Sequence, residues 1–372
     1  MTDAAPLAGI RVLDCSRVLA GPFATWLLAG LGAEVTKVEP PGGDETRGWG
    51  PPWWGDPADR VSAYWASVNA GKRVLSLDLR TDVGRAELDR LAADSDVLIH
   101  NYTPSTARRL GLDTASLHQR HPELVVAVVS GYPADSPHAD RPAYDLLMQA
   151  TCGLIAITGA PDGPPIKVGV AVLDVIAGVE VALGAVAALL GRSRRAGAGD
   201  ADGAGGTGGP GLRSVEVSLA AAGVTSLVNV LGNFLASGRE PARHGNAHPN
   251  IVPYQVFEAG DGYVAIAVGN DHQFAALLGV LGLGDDSRLR GRFATNPERV
   301  AGRQELIPIL EAAIGGRGRD ELVVALTDAD VPAGPVNSVG EAVAMMRSLS
   351  GGSWTIRRDG IETAPGPIRI GG

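Results

Sequence analysis

The sequence predicts an α/β protein with a Rossmann-like large domain on a parallel sheet, followed by a smaller α+β domain. Three observations carry that prediction. Short apolar runs rich in Val, Ile and Leu alternate with helix-length stretches from Ile10 to Val129. A low-complexity stretch, AGAGDADGAGGTGGPG at 196–211, cannot bury a core and reads as a linker or exposed insertion. Beyond it, two strand patterns flank Gly260-Asp261-Gly262 as a hairpin among helices. A chain of 372 residues is long enough for two such domains.

In order, Ile10–Asp14 reads as a strand and Ser16–Gly21 as a loop, with Pro22 suited to a first helical position. Phe23–Leu31 carries the helix, and Glu34–Glu39 is the next strand. The intervening turn reads SRVLAGP, without the glycines that cradle a dinucleotide phosphate. Pro40–Asp59 is a long loop with Trp49, Trp53 and Trp54, placed equally well for packing or for ligand contact. Strands follow at Val74–Leu77, Val97–Ile99 and Leu124–Val129, with helices over Asp78–Ala93, Thr103–Leu110 and Thr114–His121. Ligands of such sheets bind at the carboxyl ends of the strands, so the loops with Arg17, Asn101 and Tyr132 are expected to face the chemistry.

Val168–Leu173 is an apolar run that ends in Asp174, where a long apolar helix pattern begins. Arg213–Ser218 resumes as a strand and Leu219–Ala236 as one helix stopped by Gly238. The expected organisation is a large domain at 1–195, a linker at 196–217, a small domain at 218–330 and a C-terminal segment at 331–372.

Composition excludes several classes. A net charge of −9 argues against a nucleic-acid surface. Cys15 and Cys152 have neither metal nor disulfide spacing, which fits a cytoplasmic protein. The start, MTDAAPLAG, lacks the basic and apolar regions of a signal peptide. Asp174, Glu180 and several glycines interrupt Val168–Leu190, which reads as a buried strand-loop-helix, so no membrane partner is expected. The histidines show no metal-ligand spacing. Few lysines beside many arginines and alanines match a GC-rich bacterial genome.

Several motifs then stand in one order: PLAGIRVLDCSRVLAGP, GAEVTKVEPPGGD with TRGW, NAGKRVLSLDL, DVLIHNYTPSTARRLGL, AYDLLMQATCGLIAITG, GNAHPNIVPYQVF and VPAGPVNSV. Together they resemble the family III CoA-transferases, the CaiB/BaiF group of formyl-CoA transferase, carnitine CoA-transferase and the α-methylacyl-CoA racemases. The resemblance runs over nearly the whole chain. It implies an interlocked homodimer whose C-terminal segment returns to the large domain. It also implies a CoA-transferase with acyl-CoA and a small carboxylic acid as substrates and no tightly bound cofactor.

Carried over residue by residue, the resemblance makes Asp174 the nucleophile, through an aspartyl anhydride and an aspartyl-CoA thioester. On sequence alone the same aspartate reads as a helix cap. The CoA contacts fall on Val18, Leu19, Ala20, Lys72, Asn101, Tyr102, Arg109 and Leu110. Tyr144, Asp145, Gly269 and Asn270 fall at the substrate pocket. Backbone N–H groups near Gly169, or at Gly269-Asn270, are the candidate oxyanion donors. Leu19 and Pro40 replace the Gln and Arg of formyl-CoA transferase, which argues against formyl or oxalyl substrates. The segment TCGLIAITGAPDGPPIKVG looks most like transferases using succinyl-CoA. The racemases carry a His at Tyr144, and a tyrosine hydroxyl, ordinarily titrating near 10, is a poor acid-base substitute at neutral pH. A racemase and a catalytically silent acyl-CoA-binding homologue are the alternatives.

Overall fold

In a computed structural model, residues 5–197 and 212–370 are described. The chain divides into two compact units. The first comprises residues up to Ile155, Lys167–Arg239 and Ser353 onwards; the second comprises Ala156–Ile166 and Glu240–Gly352.

The first unit is built on six parallel strands: β1 (Arg11–Asp14), β2 (Glu34–Glu39), β5 (Arg73–Ser76), β6 (Val97–His100), β7 (Val125–Ser130) and β8 (Ser214–Ser218). Their spatial order is β5-β2-β1-β6-β7-β8. The period-2 pattern of the strands separates two cores. Val12, Val97, Ile99, Val125, Ala127 and Val129 face a core with helices α1 (Ala20–Gly30) and α8 (Val172–Gly197). Leu13, Val38, Leu98 and Val126 face the other side, with residues of α3 (Asp82–Ala93), α4 (Pro104–Leu110) and α5 (Thr114–Arg120). Burial on both faces explains why the strands read as nearly continuous apolar runs.

Between β2 and β5 the expected long loop has more structure. It holds a short 3-10 turn (Glu45–Gly48), the hairpin strands β3 (Trp53–Trp54) and β4 (Val61–Ser62), and helix α2 (Ala63–Asn69). Short helices α6 (Asp145–Thr151) and α7 (Leu154–Ile157) precede α8. The run Val168–Leu173 is no strand: α8 starts at Val172, so Asp174 stands inside its first turn. By length and composition the stretch Val172–Arg194 could cross a membrane, with a mean hydropathy of 2.1. Here Leu173, Ala177, Val181 and Ala185 of that helix are fully buried against the sheet.

Of the linker expected over 196–217, residues 198–211 lie outside the described ones. Ser214–Ser218 is a strand in register with β7. The small domain therefore begins at Glu240 rather than at 218, because β8 and helix α9 (Leu219–Thr225) belong to the sheet unit. The single helix expected over Leu219–Ala236 is broken into α9 and α10 (Val228–Ser237), bent by 73°. Gly238 ends α10 in the left-handed conformation, as a C-terminal glycine does. The return to the first unit starts at Ser353, not Val331, and brings the hairpin β12 (Ile356–Arg358) and β13 (Ile361–Thr363).

The second unit holds the antiparallel strands β9 (Tyr254–Ala259), β10 (Gly262–Ala267) and β11 (Ala333–Pro335) in the order β11-β10-β9. Six helices surround them: α11 (Asp271–Val280), α12 (Ser287–Arg292), α13 (Asn296–Ala301), α14 (Arg303–Ile314), α15 (Arg319–Asp328) and α16 (Val339–Leu349).

Candidate active site

The carboxyl ends of β1, β2 and β6 open into a cavity of about 650 Å³. Its walls bring together Val18, Asn101, Tyr102, Arg109, Leu110 and Tyr144, six of the residues expected to meet CoA or substrate. Arg17 and Arg80 join them from the first loop and the end of β5. Arg80 is held by Asp78, and Arg17 by Glu45 at 3.2 Å. Arg109 is exposed and makes no ion pair among the described residues, so its guanidinium is open to a phosphate.

The loop after β1 is built for a fixed shape. Val18 sits at φ 68°, a strained backbone for a β-branched residue. Two side chains hold it there. Asn101 accepts the Arg17 N–H at 2.9 Å and donates to the Arg17 carbonyl at 2.8 Å. Asp44 accepts the Val18 N–H at 3.2 Å, while its other oxygen caps the turn at Thr46. Buried Lys37 lies 3.4 Å from Asp44 and donates to the Ser16 carbonyl at 2.8 Å. Asn101 thus acts on the chain at this wall rather than presenting a free amide. Leu19 is the residue before α1, and Ala20 is buried inside it, so neither lines the cavity.

Lys72 is a correction. The resemblance places it at a CoA phosphate, but its ammonium is enclosed by the end of β1 and residues of α1 and α2. It donates to Asp14 at 3.0 Å, Thr25 at 2.7 Å, Asn69 at 3.0 Å and the Pro22 carbonyl at 2.9 Å. Burial alone would push the Asp14 carboxyl up. Lys37 and Lys72, with hydrogen bonds from Ser16 and Thr25, instead hold it well below the usual carboxylate range. An ammonium so surrounded neutralises a buried carboxylate and has no donor left for a ligand.

Tyr144 leads from the cavity wall to the candidate nucleophile. It is the residue before α6, and Asp145 opens that helix. The Asp145 carboxylate is buried and accepts the Leu173 N–H at 2.8 Å and the Gln149 side-chain amide at 2.5 Å. Gln149 in turn accepts the Val168 N–H at 2.9 Å, so α6 fixes the start of α8. Asp145 therefore does the capping that sequence alone assigned to Asp174. The Asp174 carboxylate has no hydrogen bond or ion pair among the described residues. Burial first, and the neighbouring Asp145 charge second, push it up to about 7. Such a carboxylate is half ionised near neutrality and more basic than an exposed one. Among the described residues, the backbone N–H groups of Gly169 and Asp174 also find no acceptor.

Sequence reasoning missed Tyr64. Its hydroxyl is pushed up to about 12 by burial and then by the charges of Asp174, Asp145 and Asp44. Its ring packs edge-on against Trp49, with centroids 5.2 Å apart. The Trp-rich loop was visible, but helix α2, which carries Tyr64, lay in a stretch given no element.

Gly269 and Asn270 lie in the second unit and are engaged there. The Gly269 N–H donates to the Gln273 side chain at 2.8 Å, and Asn270 caps α11 through the Gln273 N–H at 2.9 Å. The expected oxyanion role for Gly269 fails in this arrangement because its amide hydrogen is already bonded.

The family model described as CoA-transferase family III matches residues 7–367. The chain is 40% identical over 345 residues to succinate–glutarate CoA-transferase of Agrobacterium fabrum, covering 91% of this chain and 82% of that protein. It is 35% identical over 353 residues to human succinyl-CoA:glutarate CoA-transferase, covering 95% and 76%. A crystal structure of a CaiB/BaiF family protein from Brucella suis superposes with a TM-score of 0.82 at 37% identity, covering 99% of this chain and 93% of that one.

Proposed function

The chain belongs to CoA-transferase family III, moving CoA between an acyl-CoA and a carboxylic acid, and from that premise we propose that Asp174 carries the transfer covalently. Its carboxylate attacks the thioester carbonyl of the donor. The C–S bond breaks, leaving a mixed anhydride and CoA thiolate. The thiolate attacks the aspartyl carbonyl, which releases the donor acid and leaves an aspartyl-CoA thioester. The acceptor carboxylate attacks that thioester, forming a second anhydride and freeing the thiolate. Attack of the thiolate on the acceptor acyl carbon yields the new acyl-CoA and restores Asp174. The exchange starts and ends at a CoA thioester, and the more reactive anhydrides between them are consumed by the retained thiolate. The observation that carries this reading is the unpartnered, half-buried Asp174 beside a neighbour that has taken over the capping.

The open N–H groups of Gly169 and Asp174 are suited to stabilising the oxyanion of each addition. The cavity with Val18, Asn101, Tyr102 and Arg109 is the proposed seat of CoA, which enters and leaves as a substrate. Succinyl-CoA as donor and a dicarboxylate such as glutarate as acceptor follow from the relatives. An interlocked homodimer is part of the proposal. Exposed apolar side chains at Leu146, Leu147, Val179, Leu183 and Leu235 support it. Free, buried Cys15 and Cys152 suit a reducing cytoplasm.

Incubation with succinyl-CoA and glutarate, followed by chromatography of the CoA esters, is the test. Glutaryl-CoA formed with loss of succinyl-CoA is the expected result. No transfer to glutarate, mesaconate or oxalate, with solvent deuterium entering the α-carbon of a 2-methylacyl-CoA, would favour a racemase instead.

A further inference from the structure

The second unit carries a cleft of about 530 Å³ that the transfer chemistry above does not use. His244, Arg303, Arg292 and Glu305 are among its walls. Arg303 donates one nitrogen, Nη2, to the carbonyls of His248 at 2.6 Å and Pro249 at 3.1 Å. Its other terminal nitrogen, Nη1, is enclosed by protein and has no acceptor among the described residues. Glu305 does not supply one, because it is paired with Arg292 at 2.7 Å. Arg303 also opens α14, where a cation meets the positive end of the helix dipole.

Burial, then the Arg303 charge, pushes both His244 and His248 below the ordinary histidine value. His248 accepts the Asn250 N–H at its Nδ1, while the His244 ring makes no hydrogen bond among the described residues. A buried donor without an acceptor is costly, and a guanidinium nitrogen costs more than a neutral one. Nη1 itself is enclosed, so an oxygen anion in the cleft would offset the positive field from the part of Arg303 that lines it.

We propose that this cleft binds a small oxyanion, a carboxylate or phosphate group, between the Arg303 guanidinium and the His244 ring. The planar fork of arginine suits either group. The site stands on residues of the second unit alone and does not depend on the role of Asp174.

The test uses the full chain with labelled histidine rings, titrated by NMR with glutarate and, separately, with inorganic phosphate. A saturable shift of the His244 ring signals is expected, with affinity weakened about tenfold or more in Arg303→Gln. Because Arg303 also ties down the His248 and Pro249 carbonyls, His244→Gln is the second variant, followed by calorimetry with the same two anions. Its ring makes no hydrogen bond among the described residues, so a similar loss there points to the ligand. A response to glutarate alone assigns the site to a carboxylic acid, and a response to phosphate alone assigns it to a phosphate-bearing ligand. No saturable response to either anion, or equal affinity in wild type and both variants, would overturn the proposal.

Discussion

Asp145 accepts the Leu173 amide at 2.8 Å, and so caps the helix whose first turn carries Asp174. The capping by Asp145 leaves the Asp174 carboxylate without a hydrogen bond among the described residues, as the proposed nucleophile requires. Asp145 orders the helix start, and its charge helps to hold Asp174 protonated up to about pH 7. Asp145→Asn keeps an acceptor oxygen but removes the charge. The pH midpoint of kcat/KM is expected to fall below that of wild type, with burial still keeping it above an ordinary carboxylate. A pH profile of the variant beside wild type checks this.

The transfer rate of the wild type is expected to rise with pH through about 7, because Asp174 must be ionised to act as the proposed nucleophile. The same shift has a stability consequence of opposite sign. The folded protein holds this proton more tightly than the unfolded chain. Stability from Asp174 is therefore full below pH 4, declines between pH 4 and about 7, and is fully lost above. Asp174→Asn should unfold at higher urea than wild type at pH 8, with the gap closing toward pH 4.

Lys72→Met removes the ammonium that is ion-paired with Asp14 and leaves the buried carboxylate with Lys37, Ser16 and Thr25 only. A loss of about 3–5 kcal/mol in unfolding free energy is expected. The KM for acyl-CoA of the remaining folded enzyme should change little. A raised KM with unaltered stability would instead assign Lys72 to the phosphates.

Asn101→Ala releases both the N–H and the carbonyl of Arg17, and Val18 at φ 68° loses a restraint. The KM for acyl-CoA should rise about tenfold, on the ~1–1.5 kcal/mol scale of a hydrogen-bond deletion. Steady-state kinetics against acyl-CoA at saturating acceptor measures it.

Much of the sheet was legible in the sequence because its strands are buried on both faces. Val97, Leu98 and Ile99, for instance, are all fully enclosed and give an apolar run that no surface strand would show. Asp174 stood out as a lone acid where an apolar run meets a helix, but that pattern alone reads as a helix cap, and the nucleophile role rests on the resemblance of the motifs. What stayed hidden was where side chains point. Lys72 and Arg109 are both cations close to strand-end loops, yet one neutralises Asp14 and the other faces the cavity. Composition cannot separate them, since the difference lies in which partner each finds across the sheet. Helix α2 was missed because AYWASVN is too short to show a period, and with it went Tyr64. The unit boundary at Glu240 escaped because β8 returns to the sheet after the Gly-rich stretch, a pairing set by register with β7.

The most direct test of the covalent role is intact-protein mass spectrometry after incubation with succinyl-CoA, with and without hydroxylamine, on wild type and Asp174→Ala. A CoA-sized adduct on wild type, removed by hydroxylamine and absent from the variant, is the predicted result. An adduct of equal yield on Asp174→Ala, or transfer to glutarate at the wild-type rate by that variant, would contradict the account.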